Sequence, residues 1–300
     1  AAGFRHITFP LQRRSINPII EIWSLFKLLR LYNREKPDIV HHFTTKCIIY
    51  GSVAAKWSGI NHVVNSVTGM GYAFSGEQWY RRFLRVIIKS LYRKALVGTQ
   101  VLFQNPNDLN DFITERLVVK KQTILIRSSG VNLEKFNHTP EPDGIPFVIL
   151  AGRLLFDKGV VEFVEAARIL KKRNVSARFA LVGEPDPDNP SSIPVDKLKS
   201  WHADGVVEWL GWQEDMAGVY KQSNIVCLPS YREGVPKSLI EAAAVGRAIV
   251  TTDTPGCRDV VQDGINGLLV PVRTTTELAD ALQILILDKS LRQKMGQEGH

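Results

Sequence analysis

The sequence predicts an α/β chain of two doubly wound, Rossmann-like domains, and three features of its 300 residues point there. Short apolar strand patterns alternate with helical ones in both halves. A segment with three prolines and a glycine, residues 137–146, interrupts the alternation once and reads as a linker. Late in the second half, a polar turn joins a buried-strand pattern to a strong helix former.

In chain order, residues 4–9 have strand patterning, and an amphipathic helix is expected over 19–33, ended by Lys36-Pro37. Strands follow at 38–43 and 63–67, with a helix over 48–58 between them. A helix over 79–96 leads to a strand at 99–103, a helix start near Asn107 and a closing strand at 124–126. The first domain is thus assigned to 1–136 and the second to 147–300. The second restarts the pattern with strands at 147–151, 177–182 and 206–210 and helices over 159–174, 195–202 and 216–222.

Composition narrows the classes. At 44% hydrophobic and 23% charged residues, the chain is long enough for two cores. Cys47, Cys227 and Cys257 are widely spaced and lack CxxC or neighbouring His, which argues against a disulfide framework or zinc site and for a reducing cytoplasm. No apolar run approaches the roughly 18 residues of a membrane span. Charge is unequal: residues 1–130 hold 19 Lys/Arg against 7 Asp/Glu, and residues 131–300 hold 19 against 23. The first half therefore expects an anionic partner, a nucleic acid, an anionic membrane or a phosphorylated substrate. Nucleic acid is disfavoured, because no helix-turn-helix or RRM-like signature accompanies the charge.

The helix over 79–96 shows the pattern most clearly. On a wheel of about 100° per residue, Arg81, Arg82, Arg85, Lys89 and Arg93 fall on one side and Leu84, Ile87, Ile88, Leu91 and Ala95 opposite. The apolar face is expected on the sheet and the Arg81-to-Lys94 basic face on anionic headgroups.

The segment Glu233-Gly-Val-Pro-Lys-Ser-Leu-Ile-Glu241 is the strongest chemical signal. A strand-to-helix turn aims backbone N–H groups and the positive helix end at its ligand, which favours phosphate. Glu241, about one turn into that helix, lies within reach of a ribose diol if a diphosphate sits at the turn. Arg153 and Lys158 follow the first strand of the same domain, so they reach the same carboxyl-end crevice and suit a diphosphate. Gly183 and Gly211 mark two further strand-end turns. In the first domain, Thr68-Gly69-Met-Gly71 follows a strand, but the next glycine stands at 76, which excludes a GxGxxG dinucleotide fingerprint. His41 and His42 end another strand and must point to opposite faces, so at most one is expected to be functional.

With its continuation through Asp263-Gly-Ile-Asn-Gly-Leu-Leu-Val270, the Glu233 segment resembles the donor-binding half of family 4 glycosyltransferases, and the resemblance extends over nearly the whole chain. The Thr-Gly-x-Gly-Tyr loop is most similar to bacterial members that move N-acetylhexosamines onto lipid-linked intermediates. The resemblance implies a GT-B fold, a retaining mechanism, a UDP-sugar donor, a lipid-linked acceptor, peripheral placement at the inner face of the plasma membrane and no required metal or other cofactor. It gives Glu233, Arg153 and Lys158 catalytic roles. Glu241, Gly234, Val235, Pro236, Lys237, Ser238, Leu239, Gly183 and Gly211 would bind the donor, and His42, Thr68, Gly69 and Gly71 would face the acceptor. Asp186-Pro-Asp188 has the letters of a metal-binding DxD but a family position away from catalysis. Family members also open with a βαβ segment and close with a helix returning to the first domain. Neither is matched here, so the first domain is expected to be incomplete, and a fragment that binds nucleotide-sugar without transfer is the alternative.

Overall fold

The computed structural model describes residues 3, 5–9, 11, 17–68 and 79–300, which form two compact units, Ala1–Ile126 and Arg127–His300. Among the described residues no helix is long and apolar enough to cross a membrane.

The first unit carries a sheet of β1 (Ile39–Phe43), β2 (His62–Val67), β3 (Gln100–Phe103) and β4 (Thr123–Leu125), paired in that order and all parallel. Helices α1 (Pro18–Glu35), α2 (Thr45–Trp57), α3 (Trp79–Ala95) and α4 (Pro106–Thr114) alternate with the strands. Asn17 and Asn105 cap α1 and α4, each followed by a proline whose missing N–H is harmless at the first helical position. Residues 5–9 form no strand: four of them are exposed, so no buried face fixes an extended register, and Phe4 lies outside the described residues.

Helix α3 is rotated relative to the expectation. Tyr92 is buried edge-on against Phe112, Ala95 is buried and Ile88 half-buried, whereas Ile87 and Leu91 are exposed. Tyr92 is the largest buried side chain among the described residues of this helix, and its burial accompanies the rotation. Arg85 and Lys89 turn toward protein as a result, with Lys89 ion-paired to Glu115 at 2.7 Å.

The second unit holds a parallel sheet in the order β10-β9-β8-β5-β6-β7. Its strands are β5 (Phe147–Ala151), β6 (Arg178–Val182), β7 (Glu208–Gly211), β8 (Ile225–Leu228), β9 (Ala248–Thr252) and β10 (Gly267–Val270). Alternate residues of β5 serve two cores, Val148 and Leu150 with Phe163 and Leu282, Ile149 and Ala151 with Leu239 and Val245. Helices α5 (Val160–Lys172), α6 (Val195–Ala203), α7 (Met216–Gln222), α8 (Lys237–Val245), α9 (Pro255–Arg258), α10 (Thr275–Leu287) and α11 (Lys289–Gly299) complete the doubly wound pattern. The chain builds outward from β5 through β6 to β7, then returns to β8 on the other side of β5. The switch point of the sheet lies between β5 and β8.

The first-domain boundary expected at residue 136 is displaced to 126. Phe136 is buried in the second unit's core beside Tyr220, with ring centroids 6.1 Å apart. Nor is 137–146 a free linker. Arg247, 1% exposed, donates to Thr139 Oγ1 and the Pro140 carbonyl, and Asn224 donates to the Pro142 carbonyl. Arg292 grips Glu141 in a bidentate pair at 2.7 and 3.0 Å, with both side chains buried. Prolines remove backbone donors here, and buried side chains satisfy the remaining carbonyls instead. Arg292→Met should strand the Glu141 carboxylate and cost about 3–5 kcal/mol, while Arg292→Met with Glu141→Met should recover most of it. Urea unfolding measures both; a single variant within about 0.5 kcal/mol of the parent would show that the pair does not hold this segment.

Candidate functional site

Because all strands of the second unit are parallel, the loops after β5 and β8 leave the sheet at the same end, side by side. The chain after β5 passes through a tight 3-10 turn, Phe156–Lys158, into Gly159 at φ 71°. A Cβ at Gly159 would lie 2.1 Å from the Pro229 carbonyl oxygen, so glycine is required both by its backbone and by the neighbouring loop. Ser230 Oγ and the Tyr231 N–H both donate to the Asp157 carbonyl, at 3.1 and 2.9 Å. This lacing brings the Lys158 ammonium into an ion pair with the Glu233 carboxylate, and both side chains are mostly buried.

The Glu233–Gly234 backbone is braced from β9. Gly256, in the short helix α9, lies so close that a Cβ there would sit 1.8 Å from the Gly234 carbonyl oxygen and 2.8 Å from that of Glu233. Beside it, the Cys257 thiol is pushed up by burial and then by the Glu233 charge, which keeps it protonated and inert.

From this turn the chain enters α8, with Pro236 at the N-cap and Lys237 and Ser238 opening the helix. Leu239 points into the core, whereas Glu241, at the core's edge, faces a cavity of about 640 Å³. Its carboxylate lies 3.5 Å from Lys237 Nζ on one side and near the buried Tyr220 side chain on the other. Burial and the Glu241 charge hold Tyr220 well above the ordinary phenol range, so it remains a donor. The cavity is also lined by Trp212, 77% exposed, by Lys135 and by the extended segment Ser129–Gly130–Val131–Asn132. Asn132 Oδ1 fixes the turn that follows, over 133–136, by accepting from the Glu134 and Lys135 N–H groups. Sequence reading missed this wall because it placed 127–136 in the other domain; the Asn132 side-chain turn is the signal that could have found it.

Several expected residues are placed otherwise. Arg153 is paired with Asp186 at 2.8 Å, which puts the Asp186-Pro-Asp188 loop beside a candidate catalytic residue. The cause is a close approach of strand ends: a Cβ at Gly183 would lie 2.0 Å from the Gly152 carbonyl oxygen, which brings the loop after β6 against Arg153. Gly183 thus serves packing between loops, with its carbonyl taken by the Trp209 indole at 3.0 Å, and does not line the cavity. Gly211 donates no side chain but delivers Trp212, whose N–H bonds Glu184 Oε1 at 3.1 Å.

In the first unit, His42 is buried and committed. Asn65 gives its amide to Ser52 and Thr99, so its Oδ1 accepts from His42 Nδ1 at 2.9 Å, and His42 Nε2 accepts from the Tyr32 hydroxyl at 2.8 Å. Burial lowers its pKa and keeps the ring neutral. A Cβ at Gly51 would strike that ring at 2.4 Å, so His42 is a core residue of β1 and α2 and not the acceptor-facing one expected. His41 is the exposed neighbour, 2.7 Å from Ser66 Oγ. Thr68 is exposed after β2, and Gly69 and Gly71 lie outside the described residues. Among the described residues, no group of three or more His, Cys, Asp or Glu is arranged to hold a metal ion.

Comparison with known families decides what this crevice belongs to. Residues 131–300 match the family of glycosyl transferases group 1, and residues 1–124 match a glycosyl transferase 4-like family. The chain is a group 1 glycosyltransferase. This transferase is 30% identical over 304 residues to the Campylobacter jejuni N,N'-diacetylbacillosaminyl-diphospho-undecaprenol alpha-1,3-N-acetylgalactosaminyltransferase, a match that covers 97% of the chain and 78% of the relative. It is 28% identical to the Escherichia coli UDP-Gal:alpha-D-GlcNAc-diphosphoundecaprenol alpha-1,3-galactosyltransferase, over 94% of the chain and 75% of that relative. Its fold is similar to that of the sucrose-phosphate synthase of Thermosynechococcus elongatus (TM-score 0.78, 19% identity, 95% and 74% covered). The Anabaena HepE structure with UDP-glucose is likewise similar in fold (TM-score 0.74, 17% identity, 94% and 78% covered).

The brace at Gly256 gives a direct test. Gly256→Ala should force the Glu233–Gly234 turn outward and destabilise the transferase by about 1–3 kcal/mol. Gly299→Ala, in a helix with its nearest neighbour at 3.6 Å, should be neutral or stabilising. Thermal and urea unfolding compare them; equal effects would mean that the Gly256 contact yields freely.

Proposed function

We propose that this transferase moves a sugar, an N-acetylhexosamine, from a UDP-sugar to a lipid-linked saccharide at a membrane surface, in the assembly of a surface polysaccharide or related glycan. The observation that carries this reading is the single crevice in which Trp212, Lys237 and Glu241 share a cavity at the start of α8, next to the turn that holds Lys158 on Glu233. An exposed indole offers a stacking face for a uracil. Glu241, buried beside Tyr220, can accept both hydroxyls of a ribose diol. The N–H groups at the start of α8 and the Lys237 ammonium then meet the diphosphate.

The chemistry follows from charge. As the bond from the anomeric carbon to the diphosphate breaks, negative charge grows on the leaving oxygen, and Lys158, Arg153 and the α8 N-terminus supply a preorganised positive field. Lys158 can exchange part of its contact with Glu233 for the phosphate, which frees the carboxylate for the sugar hydroxyls. Arg153 can leave the exposed pairing with Asp186 at small cost, since such pairs are worth about 0–1 kcal/mol. These cations are sufficient for transfer without a divalent metal, and the anomeric configuration is retained. The lipid-linked acceptor is supported by the two relatives, both named for undecaprenyl-diphosphate-linked substrates.

Calorimetric titration of UDP, UDP-GlcNAc and UDP-GalNAc in the presence of EDTA tests the donor site. Glu241→Ala should weaken UDP binding by about 10–100-fold, the loss of hydrogen bonds to a charged group, and Tyr220→Phe by about fivefold. Transfer to a short prenyl-diphosphate-linked GlcNAc, with the product's anomeric configuration read by NMR, tests the reaction. Undiminished binding to Glu241→Ala would overturn the site, and binding without transfer would favour a nucleotide-sugar-binding module.

A further inference from the structure

The backbone alone ties the Glu233 turn down at one place. Ser230 Oγ and the Tyr231 N–H share a single acceptor, the Asp157 carbonyl, and the Thr252 hydroxyl donates to the Ser230 carbonyl close by. Ties gathered at one place form a pivot. The close approach of Gly256 stops the turn from moving toward α9, but a steric stop cannot pull it back from the other direction.

A second fixed point comes from a side chain. The Tyr231 hydroxyl donates to Glu162 Oε1 on the first turn of α5, a helix that Val160, Phe163 and Val164 seat in the core. Burial first, and then the bond to Glu162, push the Tyr231 phenol up, so it stays protonated and donating. Glu162 Oε2 is buried without a hydrogen bond, so loss of the tyrosine donor would leave the whole carboxylate unsatisfied. Arg273 covers the remaining side, with its guanidinium over the Tyr231 ring at 4.7 Å and its backbone at φ 63°. A non-glycine residue in that left-handed region is strained, and the contacts around it must hold it there.

This second point matters when the ion pair opens. In the reading above, the diphosphate draws Lys158 off Glu233, and a turn held only at its pivot would swing after its counter-charge. We infer that Tyr231 and Glu162 are a positioning pair, which keeps the Glu233 carboxylate at the sugar while Lys158 turns to the phosphate, with Arg273 steadying the Tyr231 ring. The inference rests on the transfer reaction proposed above. A displacement of about 1 Å at a reacting centre costs on the order of 100-fold, so loosening of this turn is read in turnover.

The test compares Tyr231→Phe with Tyr231→Phe/Glu162→Leu in the full chain. The single variant strands a carboxylate and should lower the Tm, whereas the double variant removes both polar partners and should recover it. Transfer should not recover: in both variants kcat should stay at least about tenfold below the parent, with donor KM and the UDP Kd within about threefold. A double variant that regains parent-like kcat with its stability overturns the inference, since the pair would then only hold the fold. A rise in the UDP Kd equal to the fall in kcat also overturns it, since the pair would then serve donor binding. Crystal structures without ligand give a readout that needs no turnover, with Lys158→Met standing for the departed counter-charge. The Glu233 turn should keep its place in Lys158→Met and move when Tyr231→Phe/Glu162→Leu is added; an unmoved turn overturns the inference. If the parent transfers no sugar, the transferase reading falls and this structural comparison alone decides whether the pair holds Glu233.

Discussion

The neighbouring positions of β5 and β8 in the second unit's sheet govern the rest of the site. The chain leaves β5 in one direction and comes back to β8 on the other side, so no helix crosses the gap between their carboxyl ends. Two loops can therefore approach each other there, and Gly159 against the Pro229 carbonyl is that approach. The Lys158 to Glu233 ion pair is its chemical result. A side chain at Gly159 would open the gap, and at Gly256 it would push the same turn from behind.

This arrangement explains how a nine-residue helix, α8, can serve two purposes. Its buried face, with Leu239, Ala242 and Val245, anchors it to the sheet. Its first turn presents unpaired N–H groups and Lys237 outward, while Glu241 sits at the border between core and cavity with Tyr220 beneath it. The carboxylate is thereby held at the edge of the protein interior, 3.5 Å from Lys237 Nζ. A ligand diol meets it with little reorganisation, which is the condition for strong charge-assisted hydrogen bonds.

Much of this was legible in the sequence. The alternation of strand and helix, the turn at Glu233 and the positions of Lys158 and Glu241 all follow from patterns of a few residues, and local patterns survive folding. The failures share one cause, competition over distance. Residues 127–136 look like the end of one domain until Phe136 finds Tyr220, and 137–146 looks like a linker until Arg247, Asn224 and Arg292 bind its carbonyls and Glu141. The wheel of α3 gave the correct period and the wrong phase, because Tyr92 outweighed Ile87 and Leu91 in the contest for the core. His42 could not be told from His41 without knowing which face of β1 meets α2. Asp186 was set aside by its flanking prolines and its family position, yet the close approach at Gly183 brings its loop against Arg153.

The most direct test of the account is a crystal structure of the chain with 5-bromo-UDP, with the bromine located by anomalous scattering. The bromine should lie beside the Trp212 ring, with the ribose diol on Glu241 and the diphosphate over the first turn of α8 toward Lys158. A bromine position outside this cavity, or a ribose without contact to Glu241, would contradict it.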